Sequence, residues 1–296
     1  MRPLERRPTG DILGMHPAEF DYIVEDAASS AVRSHYPLDW KEDPITHEIL
    51  INLRSRLHKI TLQTSRQPVD IEWEIYKLHG HRETAFGDVG LLVRYAVPGA
   101  GIIEGAGFLE AKLRRRDTTK FTQVRHDQVT RILQTTSQAR LLLYDYNPVA
   151  VLDPDDHLDS EWDTPWASYR RRRQVNAVSH SPVLPLQLAA ALNQYDDTLY
   201  RFSHSLAYQL RRRYLQLHDL DFSEAAVRAV KGFPTDLGSP NFVMVIRAAP
   251  QGTELPESFT PNENRQQAAS DLPGEPVGRA AARHRHSPAT SRRSSG

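Results

Sequence analysis

The sequence predicts an α/β fold with a mixed sheet, and three observations carry that reading. Residues 87–112, GDVGLLVRYAVPGAGIIEGAGFLEAK, are two apolar stretches around the turn cluster Pro98-Gly99-Ala100-Gly101, the pattern of a β-hairpin. Ahead of it, Ile45, Ile49, Leu53, Leu57 and Ile60 recur at helical spacing, and Ile71 to Tyr76 alternates as a strand. Behind it, a helical stretch over 121–138 leads into the apolar run ARLLLYDY at 139–146. The order over 42–147 is helix, strand, strand, strand, helix, strand: an αβββαβ core.

The chain has 296 residues, enough to bury a sizeable core. Lys plus Arg and Asp plus Glu both total 37, so a globally basic surface is excluded as a sign of nucleic-acid binding. Arginine is nevertheless clustered at 114–116, 170–173 and 211–213, which allows local basic patches. There is no cysteine, which excludes disulfides, thiolate zinc sites and cysteine nucleophiles. MRPLERRPTG has no apolar h-region and no run reaches a membrane span, so the expectation is a cytoplasmic protein with no membrane partner. No P-loop, Rossmann fingerprint or Gly-x-Ser-x-Gly elbow occurs.

In chain order, residues 1–15 are rich in Pro, Arg and Gly and are expected to be disordered. Pro17 suits the first turn of a helix to about His35, with Phe20, Ile23, Val24, Ala27 and Ala31 on one stripe. Asp43 is positioned to cap the next helix, with Pro44 in its first turn. In the strand at 71–76, Ile71, Trp73 and Ile75 take the buried face, and Glu72 and Glu74 the other. The loop at 78–83 carries His79, His81 and Glu83, which reads as polar turn residues ahead of a transition-metal site because no third nitrogen ligand is forced. On the helix at 121–138, Gln128 falls inside the apolar arc of Phe121, Val124 and Ile132, where it needs a hydrogen-bond partner.

Residues 151–182 read as irregular. The acidic run there lacks the glycine and terminal glutamate of a calcium loop, and Tyr169 with Arg170 to Arg173 is a basic and aromatic patch suited to a phosphate backbone. Leu184 to Leu217 reads as helical, Ser223-Glu224 starts a short helix stopped by Gly232, and Asn241 to Arg247 is a short strand expected at the sheet edge. The expected domain is thus 16–249: a core at 42–147, with helical and edge-strand additions at 151–249. Residues 250–296, rich in Pro, Gln, Ser and Arg, are expected to be a disordered tail.

Register turns the hairpin into chemistry. Opposed residues of an antiparallel pair have numbers that sum to a constant, here 198 or 200 for a turn centred on Gly99 or Ala100. Asp88 then opposes Glu110 or Lys112 and shares their face. Two carboxylates so close favour a hard divalent cation, and an ammonium beside them suits an attacking water or a phosphate charge.

Asp88 followed by Glu110-Ala111-Lys112 on the next strand resembles the core of the PD-(D/E)xK nuclease superfamily, which is restriction-endonuclease-like. The stretch Glu83-Thr84-Ala85-Phe86-Gly87-Asp88 resembles the E-x-x-x-G-x-D opening of stand-alone bacterial members, minus one residue between Gly87 and Asp88. The resemblance implies a metal-dependent nuclease acting on DNA, in some members RNA, with Mg²⁺ or Mn²⁺. It implies Asp88, Glu110 and Glu83 as metal ligands and Asp88, Glu110, Lys112 and Gln128 as the catalytic set, with Gln128 otherwise a buried glutamine bonded to backbone. An acidic residue of the first core helix, Glu42 or Glu48, would complete the metal site. The resemblance also implies a setting in bacterial defence, with a second copy or a defence-system protein as partner. The alternative is a catalytically inactive nuclease fold that binds nucleic acid or protein.

Overall fold

The structure is a computed structural model and describes residues 14–64, 66–78, 86–122, 126–154, 174–193, 195–232, 240–258 and 266–268. Two helices open it. Helix α1, Pro17–His35, has proline in its first turn, and His16 caps it by accepting from the Ala18 amide. It buries Phe20, Val24, Ala27 and Ala31, the stripe expected from spacing. Helix α2, Glu42–Leu57, starts one residue before Asp43, so Asp43 and Glu42 both favour the first-turn dipole and neither caps. It ends before Ile60, which belongs to strand β1, Lys59–Leu62.

The remaining strands are β2 (Val69–Leu78), β3 (Val89–Val97), β4 (Gly101–Leu113), β5 (Ala139–Tyr144), β6 (Val149–Pro154), β7 (Gln174–Ser179), β8 (Val183–Pro185), β9 (Phe242–Pro250) and β10 (Gln266–Ala268). The main sheet runs β1-β2-β9-β3-β4-β5-β8, with β10 continuing the edge on β2. It is mixed, because β9 runs parallel to β3 and β5 parallel to β4 while the other pairs are antiparallel. The α/β class with a mixed sheet therefore holds.

Helices cover both faces. On one, α1, α2 and the segment from Leu206 to Leu215 pack on Trp73, Leu91, Val93 and Met244. On the other lie α3 (His126–Thr135), α4 (Leu186–Leu192) and α6 (Glu224–Val230), against Leu92, Phe108, Leu141 and Val245. This sandwich explains the main correction to the sequence reading. Strand β9 is not an edge strand: it lies between β2 and β3, and all nine of its residues are buried. Its apolar run from Phe242 to Ile246 is the signature of a strand covered on both faces, and Arg247, which follows it, is paired with Glu72 and Glu74 of β2.

Two further readings change. The apolar spacing over 184–217 does not make one helix. Helix α4 stops at Asn193 in the left-handed region (φ 49°), Asp196 caps a 3₁₀ turn at Asp197–Phe202, and Ser205 caps α5, Leu206–Tyr208, which widens into a π-helical turn at Gln209–Tyr214. Short polar side chains that bond their own backbone thus divide a pattern whose hydrophobic spacing is continuous. Within 151–182, β6 and β7 pair as a separate two-stranded sheet. The basic and aromatic patch at 169–173, the His79/His81 loop and Glu83 lie outside the described residues, as do 1–13 and 269–296. Within the expected tail, residues 251–258 pack back on the sheet through the Arg247 bond to the Pro256 carbonyl (2.9 Å).

Candidate active site

The hairpin β3–β4 has the register sum of 198: Val89 opposes Leu109 and Val97 opposes Gly101. One step further along, Asp88 donates its amide to the Leu109 carbonyl (2.9 Å), and its carboxylate accepts from the Ala111 amide (2.8 Å). Gly87 makes this approach possible. Its φ of +82° is left-handed, and a Cβ there would stand 2.8 Å from the Leu109 carbonyl oxygen. Asp88 is in turn tied to β9, whose Phe242 amide bonds the Asp88 carbonyl (3.0 Å).

Glu110 and Lys112 follow on β4, two residues apart and on one face, and both are buried. The Lys112 ammonium lies 2.7 Å from Glu110 Oε1 and 3.4 Å from Glu42 Oε2. Gln128 donates to the same Glu110 Oε1 (2.9 Å), so its partner is a site carboxylate and not backbone. Helix α3 is thereby pinned over the end of β4. Glu42 comes from the first turn of α2 and also accepts from the Thr122 hydroxyl (2.9 Å), which in turn accepts from the Leu113 amide (3.0 Å). The structure therefore brings together Asp88, Glu110, Lys112 and Gln128, and adds Glu42. Glu48 stands apart, bonded to Ser34 (2.8 Å) and His35 (2.9 Å) between the two opening helices.

The electrostatics follow from this crowding. Burial pushes the Asp88 carboxyl well above its ordinary range, and the charge of Glu110 pushes it further, against the opposing pull of Lys112 and the Ala111 amide. Burial works against the Lys112 ammonium, yet Glu110, Glu42 and Asp88 outweigh it and hold the lysine charged well beyond neutral pH. One ammonium thus serves three carboxylates. That donor set has an excess of negative charge on oxygen, which suits a hard cation such as Mg²⁺ held by one or two carboxylates and waters. Among the described residues no group of three or more His, Asp and Glu side chains gathers as a ready metal cage.

A second network, missed from the sequence, borders the first. Arg114, two residues past Lys112, bonds the fully buried Asp145 (2.7 Å), which also accepts from the Tyr200 hydroxyl and the Asn147 amide (2.8 Å). The Arg114 guanidinium lies over the Tyr146 ring at 5.4 Å, Tyr146 stacks on Tyr36, and the Trp40 indole donates to the Arg114 carbonyl (2.8 Å). The signal available in sequence was Asp145, an acid closing an otherwise apolar strand. Comparison of the chain with protein families, curated proteins and solved structures finds no match in any of the three.

Proposed function

We propose that the chain is a divalent-metal-dependent nuclease that hydrolyses phosphodiester bonds of DNA, built on a restriction-endonuclease-like core. The observation that carries this reading is the convergence of Asp88 and Glu110 across one hairpin register, with Lys112 on the same face and Gln128 fixing Glu110. Four residue types singled out by sequence spacing from three separate elements meet at one end of the sheet. The element order from α2 to β5 supports the same core, with β1 as an addition and β9 inserted between β2 and β3.

Asp88 and Glu110 would hold the cation, which when bound supplies Lewis-acid stabilisation of charge on the phosphate. Gln128 and the Ala111 amide keep the two carboxylates aimed, so little reorganisation is needed. Lys112 is the ammonium that stands beside these carboxylates. It orients the attacking water and offsets negative charge as the new P–O bond forms and the old one breaks. Glu42 and Thr122 position Lys112 from the side of α2. None of the described helices is long and apolar enough to cross a bilayer.

A second reading, a nuclease-like fold that binds without cutting, draws on the lysine itself. Its contacts with Glu110 and Glu42 compensate part of the acidic charge. Incubation of the protein with supercoiled plasmid, linear DNA and single-stranded RNA in Mg²⁺, Mn²⁺ or EDTA separates the two. Metal-dependent cleavage of DNA, reduced at least about a hundredfold in Asp88→Ala and Lys112→Ala, is the expected result. Retention of nucleic acid without cleavage by the native chain would support the second reading.

A further inference from the structure

A cavity of about 640 Å³ lies at the opposite end of β3 from the acidic cluster, between the start of α1, the turn joining β1 to β2, and the segment after the π-helical turn. That volume is in the range of small-molecule sites, roughly 300–1,000 Å³. Tyr95, on its wall, is seven residues along β3 from Asp88, roughly 23 Å at about 3.3 Å per residue. The cavity is thus separate from the proposed cleavage centre.

Its lining divides by chemistry. Tyr95, Ile71 and Leu217 give an apolar wall, and Arg66, Arg211, Arg212 and His218 are its basic groups, with no Asp or Glu among the described lining residues. In a chain with equal numbers of acidic and basic residues, this lining is locally richer in basic than in acidic side chains. Arg211 is buried and clamped by two bonds of 2.7 Å to Asp21, which offsets its charge and fixes its guanidinium; Arg66 makes no ion pair among the described residues. Three amides, Gln63, Gln67 and Gln216, complete the polar rim.

The backbone beside the cavity is irregular. The π-helical turn is closed by five-residue bonds, Leu215 to Leu210 (3.0 Å) and His218 to Arg213 (2.7 Å). Leu217 and Asp219 both sit in the left-handed region, at φ 61° and 58°. Asp219 is held there by Arg213 (2.7 and 2.8 Å) and Arg140 (2.8 Å). π-turns and left-handed non-glycine residues concentrate at ligand sites, where the surrounding structure sustains their cost.

We infer that this cavity binds a nucleotide. Guanidinium groups suit its phosphate, the exposed part of the Tyr95 ring and the apolar wall suit a planar base, and the three amides suit the polar edge of that base. An inorganic anion would leave the apolar wall unused, and a fatty acid would desolvate the amides without replacing their hydrogen bonds.

The test is calorimetric titration of the full chain, in EDTA, with AMP, GMP, CMP and UMP, and with inorganic phosphate and laurate as comparisons. At least one nucleotide is expected to bind, and to bind roughly tenfold more weakly or worse in Tyr95→Ala and Arg212→Ala. Gln216 is exposed, so Gln216→Glu should fold normally while setting a like charge against the phosphate, and the same loss is expected there. Asp88→Asn should bind as the native chain does, whether or not the chain cleaves DNA. Absence of nucleotide binding at millimolar concentration, phosphate or laurate binding as well as any nucleotide, or an unchanged affinity in Gln216→Glu would each overturn the assignment.

Discussion

Asp88 is held at a cost. Its carboxyl is desolvated and faces Glu110, so its folded pKa stands above the unfolded value of about 3.9. A raised carboxyl binds more protons folded than unfolded, so its favourable contribution is complete below the unfolded pKa and is lost as pH rises through the folded one. Without a cation, Asp88 therefore destabilises the chain at neutral pH. Asp88→Asn keeps an oxygen to accept from the Ala111 amide and removes the charge. In EDTA at pH 7 it is expected to raise the melting temperature, and at pH 3.5 the gain should shrink towards zero. Adding Mg²⁺ should then stabilise the native chain more than the variant. Thermal unfolding at the two pH values, with and without metal, measures all three; a variant no more stable than the native chain at pH 7 would contradict this reading of Asp88.

The hairpin is the element that sets the geometry, and its most sensitive point is Gly87. A side chain there meets the Leu109 carbonyl oxygen at 2.8 Å and requires a strained φ. Gly87→Ala is expected to cost about 1–3 kcal/mol in urea unfolding and to reduce cleavage further than its stability loss explains, because the Asp88 carboxylate moves away from the Ala111 amide. The hairpin was also the most legible element in the sequence. The turn residues narrow its register to a sum of 198 or 200, and side chains alternate faces in either, so the shared face of Asp88, Glu110 and Lys112 follows from the sequence while the choice of 198 comes from the structure. Gln128 was legible as a polar residue within an apolar arc. Glu42 was less so, since its role depends on where the first turn of α2 lands relative to Lys112, a tertiary distance that no spacing encodes. The central place of β9 was hidden for a similar reason. Strand adjacency between residues about 150 positions apart along the chain leaves only a composition signal, an apolar run that also fits an edge. Short polar caps such as Asp196 and Ser205 divided the segment at 184–217 where periodicity alone continued.

At the scale of the whole molecule, the acidic cluster lies where the layers meet. Glu110 and Lys112 stand on the central sheet, Glu42 reaches in from the α2 layer, Gln128 from the α3 layer, and Asp88 is joined to both β4 and β9. A cation bound by Asp88 and Glu110 would therefore couple both helical layers to the sheet, and its binding energy would add to the stability of the entire fold. Calorimetric titration of the purified chain with Mn²⁺ tests, without assuming any substrate, the proposal that these two carboxylates hold a divalent ion. One site that Mg²⁺ competes for, lost in Glu110→Gln while that variant keeps the native circular dichroism spectrum, is the expected result. No heat of binding in the native chain, or a site that persists unchanged in Glu110→Gln, would contradict it.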